Sequence, residues 1–151
     1  RLERIGLVEV AANRYTRVAP LSDRAKRDMR EYVVHMTATT MYVTLLRDDN
    51  DDDVATGVRL LDAMAAASTS GEYVTAAVDV LTHFTHASGN VVFRETLRQA
   101  DYVVRRNLAG WQSTVIDPVA RAELFADLHR AVSERDHRHA TVFFLALHGR
   151  F

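Results

Sequence analysis

Apolar side chains recur at three- and four-residue steps along most of this chain, the spacing that gathers them on one face of an α-helix. From Asp23 to about Leu46 the stripe is Met29, Val33, Met36, Thr40 and Val43, with Ser22 or Asp23 able to cap the start. Helices are predicted likewise over Val54–Ala67, Glu72–Ala87, Asn90–Ala109, Val119–Glu134 and His137–His148. In the second of the six, Val58, Leu61, Met64 and Ala65 face inward, and Ser68 to Gly71 ends it. Within His86–Leu97, Gly89 suits the left-handed position that ends a helix and Asn90 suits a cap, so this stretch fixes a break and a register. Trp111 to Pro118 reads as a connection. The first two dozen residues follow another period. Leu7 to Val10 alternates, Ala11 to Arg14 supplies a turn, and Thr16 to Pro20 is a second extended run, which together predict a small β-hairpin. Arg1 to Gly6 reads as the end of a helix, so the sequence is expected to be truncated at its start.

Composition favours helices. Two Pro and six Gly in 151 residues leave few turns and long elements. Both charge signs are interspersed to a net −1, so no global basic field draws the chain to nucleic acid, and any DNA contact must be local. The absence of Cys removes thiolate nucleophiles and Cys-ligated zinc, and suits a reducing cytoplasm. No apolar run is long enough for a membrane span, so the expected location is cytoplasmic, without a membrane partner. Asp48 to Asp53 reads as a hydrated loop, because a calcium loop of the EF type needs a mid-loop Gly and a Glu at its twelfth position. Gly-x-Ser-x-Gly and Gly-rich phosphate loops are missing, which argues against an enzyme.

Two stretches carry a family resemblance. Gly6 to Ser22 looks like the wing of a GntR-type winged helix-turn-helix, with Tyr15 where the family commonly has Gly. The Ala87-Ser88-Gly89-Asn90 break, the Val91-Val92-Phe93 start of an Arg-rich helix, and Ala131 to Asp136 with Ala140 are similar to the FadR-type C-terminal effector domain, called FCD. The resemblance implies an all-α fold, an antiparallel bundle of about six helices over residues 23–151 preceded by a β-hairpin wing remnant over residues 1–22. It further implies a ligand-responsive transcriptional regulator acting as a homodimer on DNA. Asn13, Arg14 and Arg17 of the wing would meet phosphates or the minor groove.

Many FCD domains hold a divalent metal with an Asp and three His. Counted from the Ser-Gly-Asn break and from Asp136, those positions fall on Ala77, Leu81, Phe125 and Leu147, none of which is a donor. This register implies no metal and no cofactor, and an apolar cavity for a fatty acid or acyl-CoA-like effector. Arg30, Val34, Ala77, Leu81, Arg105, Phe125 and Leu147 are the expected effector-binding residues, with the arginines meeting a carboxylate or phosphate. A rival register offers Asp79, His83, His129 and His148 as a metal set for a small organic acid. A third reading is a helical dimerisation module that takes no effector.

Overall fold

Helices form where the chain supplies an apolar face, and five of the six described helices also start at a side-chain cap. In the computed structural model, which describes residues 8–11, 15–18 and 22–150, the helices are α1 (Asp23–Leu45), α2 (Asp51–Ala66), α3 (Ser70–Ala87), α4 (Val91–Asn107), α5 (Pro118–Ser133) and α6 (His137–Leu147). Ser22 accepts the Ala25 N–H at 3.1 Å, and Asn90 accepts those of Val92 and Phe93. Asp117 and Asp136 cap α5 and α6 in the same way. Thr69 and Glu72 form a reciprocal capping box, which starts α3 at Ser70 rather than Glu72 and places Gly71 in its first turn. The Glu72 carboxyl is held below its ordinary range chiefly by the backbone N–H groups of Ser68 and Thr69.

Two expectations shift at α2. The helix begins at Asp51, not Val54, and the hydrated loop read over Asp48 to Asp53 is cut short, since Asp51, Asp52 and Asp53 form the first turn, where the positive pole of the helix favours them. Asn50 sits at the cap position but turns its amide away, donating to the Thr44 carbonyl at 2.7 Å. Gly89 takes the left-handed conformation at φ +70°, as the helix break requires.

Neighbouring helices close into a ring, in which α1 packs on α3, α3 on α2, α2 on α5, α5 on α6, and α6 back on α1. The remaining helix, α4, lies against α1 and α3. Inside the ring one apolar cluster runs through every helix, including Val33, Met41, Leu61, Leu81, Phe84, Val104, Leu128 and Phe144. Helix α1 buries a wider face than the predicted stripe, Val34, Thr37, Ala38, Met41, Thr44 and Leu45 joining Val33 and Thr40, because it touches three other helices. Met29 and Met36 are only partly buried against that core.

Ahead of the bundle, β1 (Val8–Ala11) and β2 (Tyr15–Val18) pair antiparallel, with Val8 opposite Val18 and Ala11 opposite Tyr15. Arg17 stands on β2 opposite Glu9, whereas Asn13 and Arg14 lie outside the described residues.

Helices α2 and α3 meet tightly at Gly57, where a Cβ would stand 2.6 Å from the ring of the fully buried Phe84. Gly57→Ala gains helix propensity of about 1 kcal/mol, yet the ring has nowhere to go, and overpacking costs about 1–3 kcal/mol. A net loss of stability in urea denaturation is expected, and a gain would show that the two helices can part freely.

Candidate functional site: an arginine-lined pocket

The first turns of α1 extend beyond its buried face and carry Arg27 and Arg30 three residues apart, one above the other on the helix. Val34, one turn further, is 2 % exposed and anchors that stretch to the core. The opposite wall comes from the end of α6 and the α4–α5 connection. There the Leu147 carbonyl, left free by the helix terminus, accepts from the Thr114 N–H at 3.1 Å and from the Ser113 and Thr114 hydroxyls at 2.8 and 3.2 Å. Gly149, at φ +65°, turns the chain out of α6 and presents Arg150 beside Glu31 of α1, at 3.7 Å. The pocket between these walls has a volume of about 220 Å³ and is lined by Arg27, Arg30, Val34, Trp111, Gln112, Thr114, His148 and Arg150.

Its charge is one-sided. Three guanidinium groups line it, and no carboxylate does. Among the described residues neither Arg27 nor Arg30 has an acidic partner, and the Arg30 Nε is buried with its hydrogen-bonding capacity unused. A buried donor left unmatched is costly, so an acceptor supplied from outside would be stabilised there.

The inner wall is aromatic and uncharged. His148 Nδ1 donates to the Phe144 carbonyl at 2.8 Å, which leaves Nε2 to accept the Tyr73 hydroxyl at 2.9 Å. Both ring nitrogens are thereby used. Burial holds the His148 pKa down at about 4, and burial also pushes the Tyr73 phenol up, so this pair stays neutral across the physiological range. Trp111 lies against His148, ring centres 4.9 Å apart, and Tyr73 and Trp111 meet in a T-shaped contact at 5.7 Å.

The expected effector residues separate. Arg30 and Val34 line the pocket, but Arg105 does not, being on α4 in a pair with Asp101 at 3.2 Å. Ala77, Leu81 and Leu147 are each at most 2 % exposed and fill the centre of the bundle. The apolar register is therefore packed core at these positions instead of cavity wall. Phe125 belongs to the same core and borders a second, more open pocket between α2 and α5. The rival metal set does not converge either. Asp79 is exposed, His83 Nε2 donates to the Asp53 carbonyl at 2.7 Å, His129 Nδ1 pairs with Asp62 at 2.8 Å, and His148 is occupied as above. Among the described residues, no three His, Asp or Glu side chains gather as a metal site.

Arg27, Trp111, Gln112, Thr114 and Arg150 were not foreseen. The Arg27–Arg30 spacing was visible in the sequence, but the approach of residues 111–114 and 150 to it depends on how α5 and α6 fold back.

No family model matches the sequence, and no curated protein matches it. Among solved structures the chain is similar to E. coli McbR/YncC, with a TM-score of 0.66 over 98 % of this chain and 76 % of that one, at 15 % identity. The likeness is one of fold.

A folded state that keeps His148 neutral is penalised when the unfolded chain can take a proton. Stability should be complete above about pH 6.5 and fall as pH drops toward about 4, by up to about 1.4 kcal/mol per pH unit from this residue. Denaturation curves of the wild type and His148→Phe between pH 7 and 4.5 should differ in slope over that window. Parallel slopes would mean that His148 is already charged in the fold.

Proposed function

We propose that this chain is the effector-binding part of a DNA-binding transcriptional regulator of the GntR type, and that it responds to a small organic anion. The observation that carries this reading is the three-arginine pocket, built on the helix that directly follows the hairpin. Its supports are the wing-like and FCD-like sequence features and the fold shared with E. coli McbR/YncC, a GntR-family regulator.

The pocket's size bears on which effector is proposed. At about 220 Å³ it is below the roughly 300–1,000 Å³ of pockets that hold drug-sized ligands. With Leu81, Leu147 and Ala77 packed together, a small acid held by arginines replaces the long acyl chain expected from the apolar register. It also needs no metal, since Arg27 and Arg30 supply the charge that an ion would otherwise supply.

The anion acts through α1. Residues 23–30 are the least buried part of that helix and lead back to β2, the wing of the proposed DNA-binding domain at residues 1–22, with Arg17 and the neighbouring Asn13 and Arg14 as phosphate contacts. A ligand drawing Arg27 and Arg30 toward Arg150 and Thr114 would favour one orientation of that domain, shifting a population only as far as its affinities for the two orientations differ. The regulator is proposed to work as a homodimer in the cytoplasm, and the exposed Val91, Val92 and Tyr102 of α4 are available for pairing. No helix of the described residues is long and apolar enough to cross a membrane.

The test is a selection of genomic DNA fragments by the protein carrying its complete DNA-binding domain, repeated with millimolar small carboxylates. Specific fragments should be retained at physiological salt, and at least one acid should change their affinity by about fivefold or more, an effect lost in Arg30→Ala. Failure to retain any fragment would overturn the reading.

A further inference from the structure

The pocket joins a cationic mouth to an aromatic inner wall, and this combination is more selective than charge alone. Both nitrogens of His148 are engaged with Phe144 and Tyr73, so its ring offers the pocket no free hydrogen-bonding atom. Trp111 lies against it at 33° between ring planes, and Phe144 backs it at 4.8 Å. The two rings that line the pocket are thus locked from behind, and they are 4 % and 5 % exposed. Across from them are Arg27 and Arg30, with the Arg30 Nε unmatched. The volume sets the remaining limit. An apolar cavity of about 150 Å³ can hold a benzene ring, so about 220 Å³ accommodates one ring with a small charged group and not two.

We propose, building on the small-anion reading above, that this pocket takes a single-ring aromatic carboxylate, its ring against Trp111 and His148 and its carboxylate on Arg30 and Arg27. A planar carboxylate matches the guanidinium fork, and a flat ring gains contacts with the aromatic wall that a puckered ring of the same size does not.

Trp111 is the sole tryptophan of the chain, so its fluorescence reports on the pocket without a label. Benzoate, cyclohexanecarboxylate, acetate, inorganic phosphate and benzyl alcohol would be titrated against it, with thermal unfolding as a second readout. Benzoate should change Trp111 emission and raise the unfolding temperature, binding about threefold to tenfold more tightly than cyclohexanecarboxylate. Arg30→Ala, a change at a half-buried side chain, should weaken benzoate about tenfold or more. Trp111→Phe, followed by thermal shift, should retain most of the preference for the aromatic ring. If cyclohexanecarboxylate, acetate or phosphate binds as tightly as benzoate, the aromatic assignment is overturned while the small-anion reading stands. If benzyl alcohol equals benzoate, Arg30→Ala is without effect, or no probe binds at millimolar concentration, both are overturned.

Discussion

Burial of α1 against α3, α4 and α6 is the constraint on which the rest of the molecule depends. Each neighbour claims part of its circumference, so its inner face must stay small or apolar for most of its length. Val33, Val34, Ala38, Met41 and Leu45 meet that demand directly. The threonines among them do so by bonding along the helix, Thr40 to the Met36 carbonyl at 2.8 Å and Thr44 to the Thr40 carbonyl at 2.8 Å. Thr44 also reaches the Phe84 carbonyl of α3 at 3.3 Å, which ties the two helices at one height. With the helix held so, its first turns have one place to go, the end of the bundle where α6 finishes, and Arg27 and Arg30 are carried there.

The two ends of the bundle differ in how tightly they are closed. At the far end, Arg135 of the α5–α6 turn donates to the Arg47 carbonyl at 2.6 Å, to Asn50 Oδ1 at 2.7 Å and to Asp51 at 2.5 Å. That one side chain joins the turn to the end of α1 and the start of α2, and it does so from a left-handed backbone at φ +58°, a conformation that costs a residue with a side chain and persists where surrounding bonds hold it. At the near end, among the described residues, no comparable clamp crosses from α1, apart from the 3.7 Å pairing of Arg150 with half-exposed Glu31. Exposed ion pairs of that kind contribute little. A ligand in the proposed site would therefore act on the first turns of α1 without disturbing the clamped end.

The helices were legible because caps and periodicity agreed. Asn90, Asp117 and Asp136 all cap the helices that the apolar spacing predicts, and Gly89 adopts the conformation its position called for. The site was less legible, for a physical reason. Positions Ala77, Leu81 and Leu147 follow from a register along single helices, and register tells which residues face the interior but not whether the interior is hollow. That depends on side-chain volumes summed across five helices, and here they fill it. Likewise His148 reads in sequence as a possible ligand near a helix end, while its role as a neutral aromatic wall needs Tyr73, which lies 75 positions away. Arg30 was expected because it matches a position where the resembled family often places an arginine; Arg150 and Trp111 reach it only through the tertiary fold.

The proposed function and the inference drawn from the pocket both turn on an anion seated on Arg30, in the first turns of α1. The most direct measurement is the ¹⁵N–¹H NMR signal of the Arg30 side-chain Nε–H, now a buried donor with no partner, during titration with benzoate. An anion bound at this site moves the Arg30 signal and slows its exchange with water, while the Arg105 signal, from α4, stays in place. Equal shifts at Arg30 and Arg105, or movement at Arg105 alone, would contradict it.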